Sequence, residues 1–146
     1  MSEWIPKEEW ATIVEHVPIA SVDLVVECPA GIVLGQRANA PVKGEWFVPG
    51  GRVEKGETLE EAVHRVAAAE LDAEITIERS LGAFDHFYDT SEVGCDKHYV
   101  AHGFYVRTDA TTFESDAQHE ELAAFDELPA DLHPYVQAYL EAAGVR

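Results

Sequence analysis

The segment Gly50-Gly51-Arg52-Val53-Glu54-Lys55-Gly56-Glu57-Thr58-Leu59 leads into a helix whose apolar stripe carries a carboxylate. At 100° per residue, Leu59, Val63 and Val66 share one face, and Glu70 falls within about 20° of both Leu59 and Val63. An inward carboxylate is costly unless it is paired or coordinates a metal ion. Arg65 lies on the flank of the stripe and Arg52 in the turn before it. A carboxylate facing inward with arginines close by is how a metal-diphosphate site would be arranged. The competing reading puts Glu70 at a fraying helix end, where it reaches water. The residues alone support both.

The elements that must position these groups follow from pattern. A first helix is predicted over Pro6–Val17, with acids in its first turn and a stripe of Trp10, Ile13, Val14 and Val17. Strands are predicted over Ser21–Glu27, which Asp23 interrupts, over Gly31–Arg37, and over Trp46–Val48, which ends at Pro49-Gly50-Gly51. The patterned helix runs from about Thr58 to Leu71. Strands around Leu81–Asp89 and His98–Arg107 follow, then a polar loop from Asp109 to Glu121. The last helix starts near Pro134 and ends before Gly144. Intermixed strands and helices, with helices at both ends, predict an α/β fold: a mixed sheet sandwiched between helices, in one domain spanning residues 1–146.

Composition narrows the function classes. Ten basic residues face 28 acidic ones, for a net charge of −18, and the acids are scattered along the chain. Such a surface repels nucleic acid and anionic lipid, so neither is an expected partner. It also repels a nucleotide, so a phosphate site must concentrate the few arginines. The charge matches adaptation to a salt-rich cytoplasm, where counterions screen self-repulsion; an ordinary acidic protein is the alternative. No membrane span or secretory leader is visible, so a cytoplasmic location is expected. Cys28 and Cys95 read as reduced thiols.

The helix and its approach resemble the Nudix box: Gly, five residues, Glu, seven residues, then Arg-Glu-apolar-x-Glu-Glu-x-Gly-apolar. Gly51, Glu57, Arg65, Glu70 and Ala73 stand at matching places. Val66 and Ala69 stand where the box has glutamates, and Asp72 where it has glycine. A narrower group accounts for the lost glutamates. The chain resembles the GDP-mannose mannosyl hydrolases, whose variant box keeps the arginine and the second glutamate of the pair. Ser21-Val22-Asp23, Gly35-Gln36-Arg37, Trp46 to Val53, Glu57 to Glu60, Ala68 to Leu71, His86 to Asp89, His98-Tyr99-Val100 and Gln118-His119 recur in order.

The resemblance implies a Nudix fold and a homodimeric hydrolase in which water attacks the anomeric carbon of a GDP-sugar and expels GDP with inversion. It implies one Mg²⁺, with Mn²⁺ also suitable, held by Gly50, Glu70 and Gln118; oxygen-only ligands suit both ions. By the same resemblance His119 is the general base, and a histidine neutral near pH 7 suits that role. Arg37, Arg52 and Arg65 would stabilise charge on the departing GDP, Tyr99 would hydrogen-bond the diphosphate, and Asp23 would meet the sugar. His86 and Asp89 receive no role, and Trp10 is expected to pack in the core rather than stack on guanine. GDP-mannose and GDP-glucose both remain candidates. Two other readings stand beside this one. The first is a pyrophosphohydrolase attacking phosphorus, which the absence of carboxylates at Val66 and Ala69 opposes. The second is a non-catalytic nucleotide-sugar sensor, which retention of Glu70, Gln118 and His119 opposes.

Overall fold

The apolar run around Val22–Val26 becomes β1 (Ile19–Cys28), a central strand whose alternate residues enter different cores. A computed structural model describes residues 4–38, 44–113 and 119–146, with positions 119 and 120 contributing backbone alone. Gln118 therefore lies outside the described residues. β1 is flanked by β2 (Gly31–Arg37) on one side and, in parallel, by β6 (Lys97–Arg107) on the other. β3 (Trp46–Phe47) extends the sheet beyond β2, and β5 (Thr76–Tyr88) extends it beyond β6. Two further strands complete the seven-stranded mixed sheet: β4 (Gly50–Arg52) pairs with β1, and β7 (His119–Phe125) pairs with β2.

Helices cover both faces, as the pattern predicts. α2 (Leu59–Leu71) packs Ala62, Val63, Val66 and Leu71 against Val22, Leu24 and Val26. α3 (Pro134–Ala143) packs Val136, Tyr139 and Leu140 around Val25 on the opposite face. α1 (Lys7–His16) lies beside β6. No helix among the described residues is long and apolar enough to cross a membrane.

The start of α2 is fixed locally. Thr58 accepts a hydrogen bond from the Glu61 amide while Glu61 accepts one from the Thr58 amide, a reciprocal cap worth on the order of 1 kcal/mol. At the other end Asp72, where the box has glycine, stands at φ 48° in the left-handed region. The box glycine thus answers a backbone requirement that an aspartate also meets, at a modest steric cost.

Three expectations need correction. The polar loop ends before Glu121, because β7 already opens at His119. Its sequence, HEELAAF, has weak strand propensity, and pairing with β2 imposes the extended form. β5 begins at Thr76, not near Leu81; its first residues are mostly exposed at the sheet edge and so show no apolar alternation. β4 is not foreseen at all, since Gly50-Gly51 reads as a turn.

Candidate active site

Gly50 and Gly51 form a thin partition between two acids, the buried Glu70 and Asp23, whose side chain is 14% exposed. In β4 they pair with Asp23 and Val22 of β1. Successive strand residues face opposite sides, so the missing side chains leave room on both. A Cβ on Gly51 would stand 3.1 Å from Val66 Cγ2 and 3.8 Å from Glu70 Oε2, on the α2 side. A Cβ on Gly50 would collide with Asp23 Oδ1, on the α3 side. The two carboxylates that the sequence singles out thus abut the same strand from its two faces.

On the α2 side Glu70 is buried, 6% exposed, which removes the reading that it reaches water from a frayed end. Arg65, one turn earlier, is committed to the loop. Its Nε donates to Glu57 Oε2 at 2.7 Å, and one terminal nitrogen donates to Glu57 Oε1 at 2.9 Å and to the Arg52 carbonyl at 2.7 Å. Those bonds hold the Glu57 carboxyl below the usual carboxylate range. The buried Glu54 lies 3.4 Å from Arg65 Nε. Arg65 therefore ties the start of α2 to the end of β4.

On the α3 side Asp23 sits in an aromatic pocket. Tyr139 donates to its Oδ2 at 2.7 Å, and the Tyr139 ring fits there because position 103 is glycine: a Cβ would stand 2.7 Å from Tyr139 Cε1. His86, 2% exposed, brings Nδ1 to 3.8 Å from the same Oδ2 and stacks on Tyr135 with centroids 4.1 Å apart. Burial pushes the Asp23 carboxyl up to about 6, against the opposing effects of the Tyr139 hydrogen bond and the Arg37 charge. Burial, with His133 nearby, lowers His86 to about 4, although Asp85 opposes this. Tyr88 is pushed upward by burial and by the Asp23 charge, and its ring meets Tyr99 edge-on at 6.0 Å.

Two polar atoms in this pocket, Arg37 Nε and His86 Nε2, are buried with no hydrogen-bond partner among the described residues. Buried polar atoms of that kind are costly unless a ligand or water completes them. Arg37 ends β2, and the register places the His119 backbone directly opposite it. The His119 side chain is not described. The fold thus brings Asp23, Arg37, Tyr99 and the start of β7 to one end of the sheet, beside Gly50.

Arg52 leaves β4 toward Trp10 of α1, with its guanidinium carbon 5.5 Å from the ring centroid. Trp10 is therefore a partner of charged groups, not a simple core residue. The residues that sequence reasoning left without roles are His86, Tyr88, Tyr135, Tyr139 and Lys97. A signal existed for two of them: Tyr135 and Tyr139 are four apart on the apolar stripe of α3, and a buried phenol needs a hydrogen-bond partner.

The donor set around Gly50 fits a hard divalent cation, since the buried Glu70 carboxylate lies beside Gly51, the next residue of β4. Among the described residues no group of three or more His, Cys, Asp and Glu side chains is arranged to hold a metal ion. Any ion here would draw on backbone oxygen together with Glu70.

Residues 17–142 match the model of the NUDIX domain. The chain is 53% identical over 140 residues to the low-salt glycan biosynthesis protein Agl8 of Haloferax volcanii, covering 94% of this chain and 90% of that one. It is 40% identical over 67 residues to an ADP-ribose pyrophosphatase of Methanocaldococcus jannaschii, covering 46% of this chain and 40% of that one. Among solved structures, a MutT protein from Methanosarcina mazei superposes with a TM-score of 0.68 at 19% identity, covering 87% of this chain and 94% of that chain. That last likeness concerns the fold.

Proposed function

The chain belongs to the NUDIX domain family, and from that premise we propose that it is a hydrolase of a nucleoside-diphosphate compound, cleaving a GDP-sugar, GDP-mannose or GDP-glucose, to GDP and free sugar. The observation that carries this reading is the Gly50–Gly51 partition, with one buried acid of the box on one side and a separate cluster of Asp23, His86 and Tyr139 on the other. A cluster of a carboxyl, an imidazole kept neutral by burial, and phenols has the chemistry for sugar hydroxyls, which both donate and accept. On α2, Val66 and Ala69 supply no carboxylate beside Glu70, so water activation at phosphorus has little support from this helix.

Nudix hydrolases generally use divalent metal ions such as Mg²⁺, and here Gly50, Glu70 and Gln118 would hold one, which would help neutralise the diphosphate. The rest falls to the chain's own groups. His119 takes a proton from water as the water oxygen bonds to the anomeric carbon. The carbon–oxygen bond to the β-phosphate breaks, and its electron pair leaves on GDP. Arg37, Arg52 and Tyr99 stabilise that charge, while Arg65 holds the loop that carries Arg52. Asp23 and His86 hold the sugar. The glycan-biosynthesis name of the Haloferax relative accords with a sugar substrate.

A second reading is pyrophosphohydrolysis at phosphorus, favoured by the ADP-ribose pyrophosphatase relative. Incubation with GDP-mannose and Mg²⁺ separates the two. GDP and free mannose support the proposal; GMP and mannose phosphate restore the second reading.

A further inference from the structure

Lys97 is buried, 4% exposed, in a chain that carries four lysines and a net charge of −18. A buried ammonium must be fully compensated. Lys97 Nζ donates to both Glu92 oxygens, at 2.7 and 3.0 Å, and stands 5.3 Å from the Trp10 ring centroid and 4.9 Å from that of Tyr99. Trp10 Nε1 donates to Glu92 Oε1, the nearer of those two oxygens to Lys97, at 3.1 Å. Arg52 lies over the Trp10 ring as well. Contacts therefore run without a break from Arg52 to Trp10, to Lys97 and to Tyr99, with Glu92 closing the cage from the loop before β6.

Topology explains the convergence. β4 and β6 flank β1, where Ser21 pairs with both Arg52 and Ala101, so the end of β4 and the first half of β6 lie level with each other across β1. Lys97 and Tyr99 are two apart on β6 and share a face.

We propose that Lys97 is a positioning residue that sets Arg52, through Trp10, and Tyr99, by direct ring contact, to grip a nucleoside diphosphate. This rests on the reading that Arg52 and Tyr99 face the diphosphate; the sugar-cleaving step is not required for it. The arrangement has a physical logic. Two cations brought close to a dianionic ligand repel each other, and an intervening indole ring attracts both. Glu92 offsets the Lys97 charge, so the cage fixes the geometry of the Arg52 guanidinium over the Trp10 ring.

The test is calorimetric titration of the full chain with GDP in the presence of Mg²⁺, across Lys97→Met, Arg52→Ala and the double variant. Cation–ring contacts of ordinary buried strength correspond to roughly a tenfold change in affinity. Lys97→Met should therefore weaken GDP binding about tenfold in the parent chain and about threefold in the Arg52→Ala background, where only the direct Tyr99 contact remains to be lost. A lysine that only pins the loop would give no loss, or a loss of equal size in both backgrounds, and either result overturns the proposal. Should Lys97→Met not fold, Glu92→Gln acts on the same cage from its partly exposed side and is held to the same two-background criterion. If the parent chain cleaves no GDP-sugar but the coupled pattern appears, the proposed reaction fails and the positioning role of Lys97 stands. If the parent chain turns over a GDP-sugar without the coupled pattern, the reaction stands and the positioning role fails. A parent chain that binds no GDP overturns both.

Discussion

Replacing Arg65 with lysine asks whether this side chain serves the loop or the leaving group. Arg65→Lys keeps the charge but loses the planar fork that reaches both Glu57 oxygens and the Arg52 carbonyl at once. An ammonium can keep one of those three bonds. Hydrogen bonds involving charged groups contribute about 1.5–3 kcal/mol each, and the Arg65 side chain is 29% exposed, so solvent screening reduces that figure. Losing two such bonds should cost roughly 2 kcal/mol, which lowers the melting temperature by about 4–8 °C for a chain of this size. Because the Arg52 carbonyl loses its anchor, turnover of a GDP-sugar should fall about ten- to a hundredfold alongside the stability. Glu57→Gln, which removes the other half of the fork, should reproduce both effects. The measurements are thermal unfolding and steady-state kinetics on the same preparations. If Arg65→Lys unfolds at the parent temperature while turnover drops more than a hundredfold, the loop-anchoring role is wrong and Arg65 acts on substrate directly.

Glu70→Gln should weaken Mg²⁺ binding and activity while leaving the fold intact, and full activity in EDTA would remove the metal assignment. The charge of −18 predicts a melting temperature that climbs from about 0.1 M to 1 M KCl, as the Debye length falls from about 10 to 3 Å; a flat curve would retire the high-salt reading. Asp23 and His86 predict opposite pH dependences. Asp23 holds its proton to higher pH in the folded chain, so its contribution to stability falls as pH rises from 3.8 to about 6, whereas that of His86 grows from about 4 to 6.5. Asp23→Asn should therefore make stability climb more steeply with pH across that window, by up to about 1.4 kcal/mol per unit; unchanged slopes in chemical unfolding would contradict the shifts.

Much of the fold is legible in the sequence because it is written in local patterns. The apolar stripe and the Thr58–Glu61 cap specify α2, and Pro134 and Gly144 bracket α3. Glu70 is legible as an acid on the wrong face of a helix, and burial bears out its inward position. β7 is not legible, because alanines and glutamates become a strand only through pairing with a distant partner. Nor is the Asp23 pocket: it assembles residues from β1, β2, β5 and α3, and no spacing within one segment encodes those contacts. Lys97 is hidden for a related reason. A lysine at the start of a strand reads as solvated until its aromatic neighbours arrive from α1 and β6.

The proposed reaction stands or falls on the atom that water attacks, and isotope transfer from solvent reads that atom. Hydrolysis of GDP-mannose in ¹⁸O-labelled water should place the label in the released sugar and leave GDP unlabelled, with the β-anomer formed first, because one in-line displacement inverts the α-linkage. His119→Ala should lower that turnover by about two to four powers of ten, the usual worth of a positioned base. Label in GMP or in a sugar phosphate would show attack at phosphorus and contradict the proposed reaction.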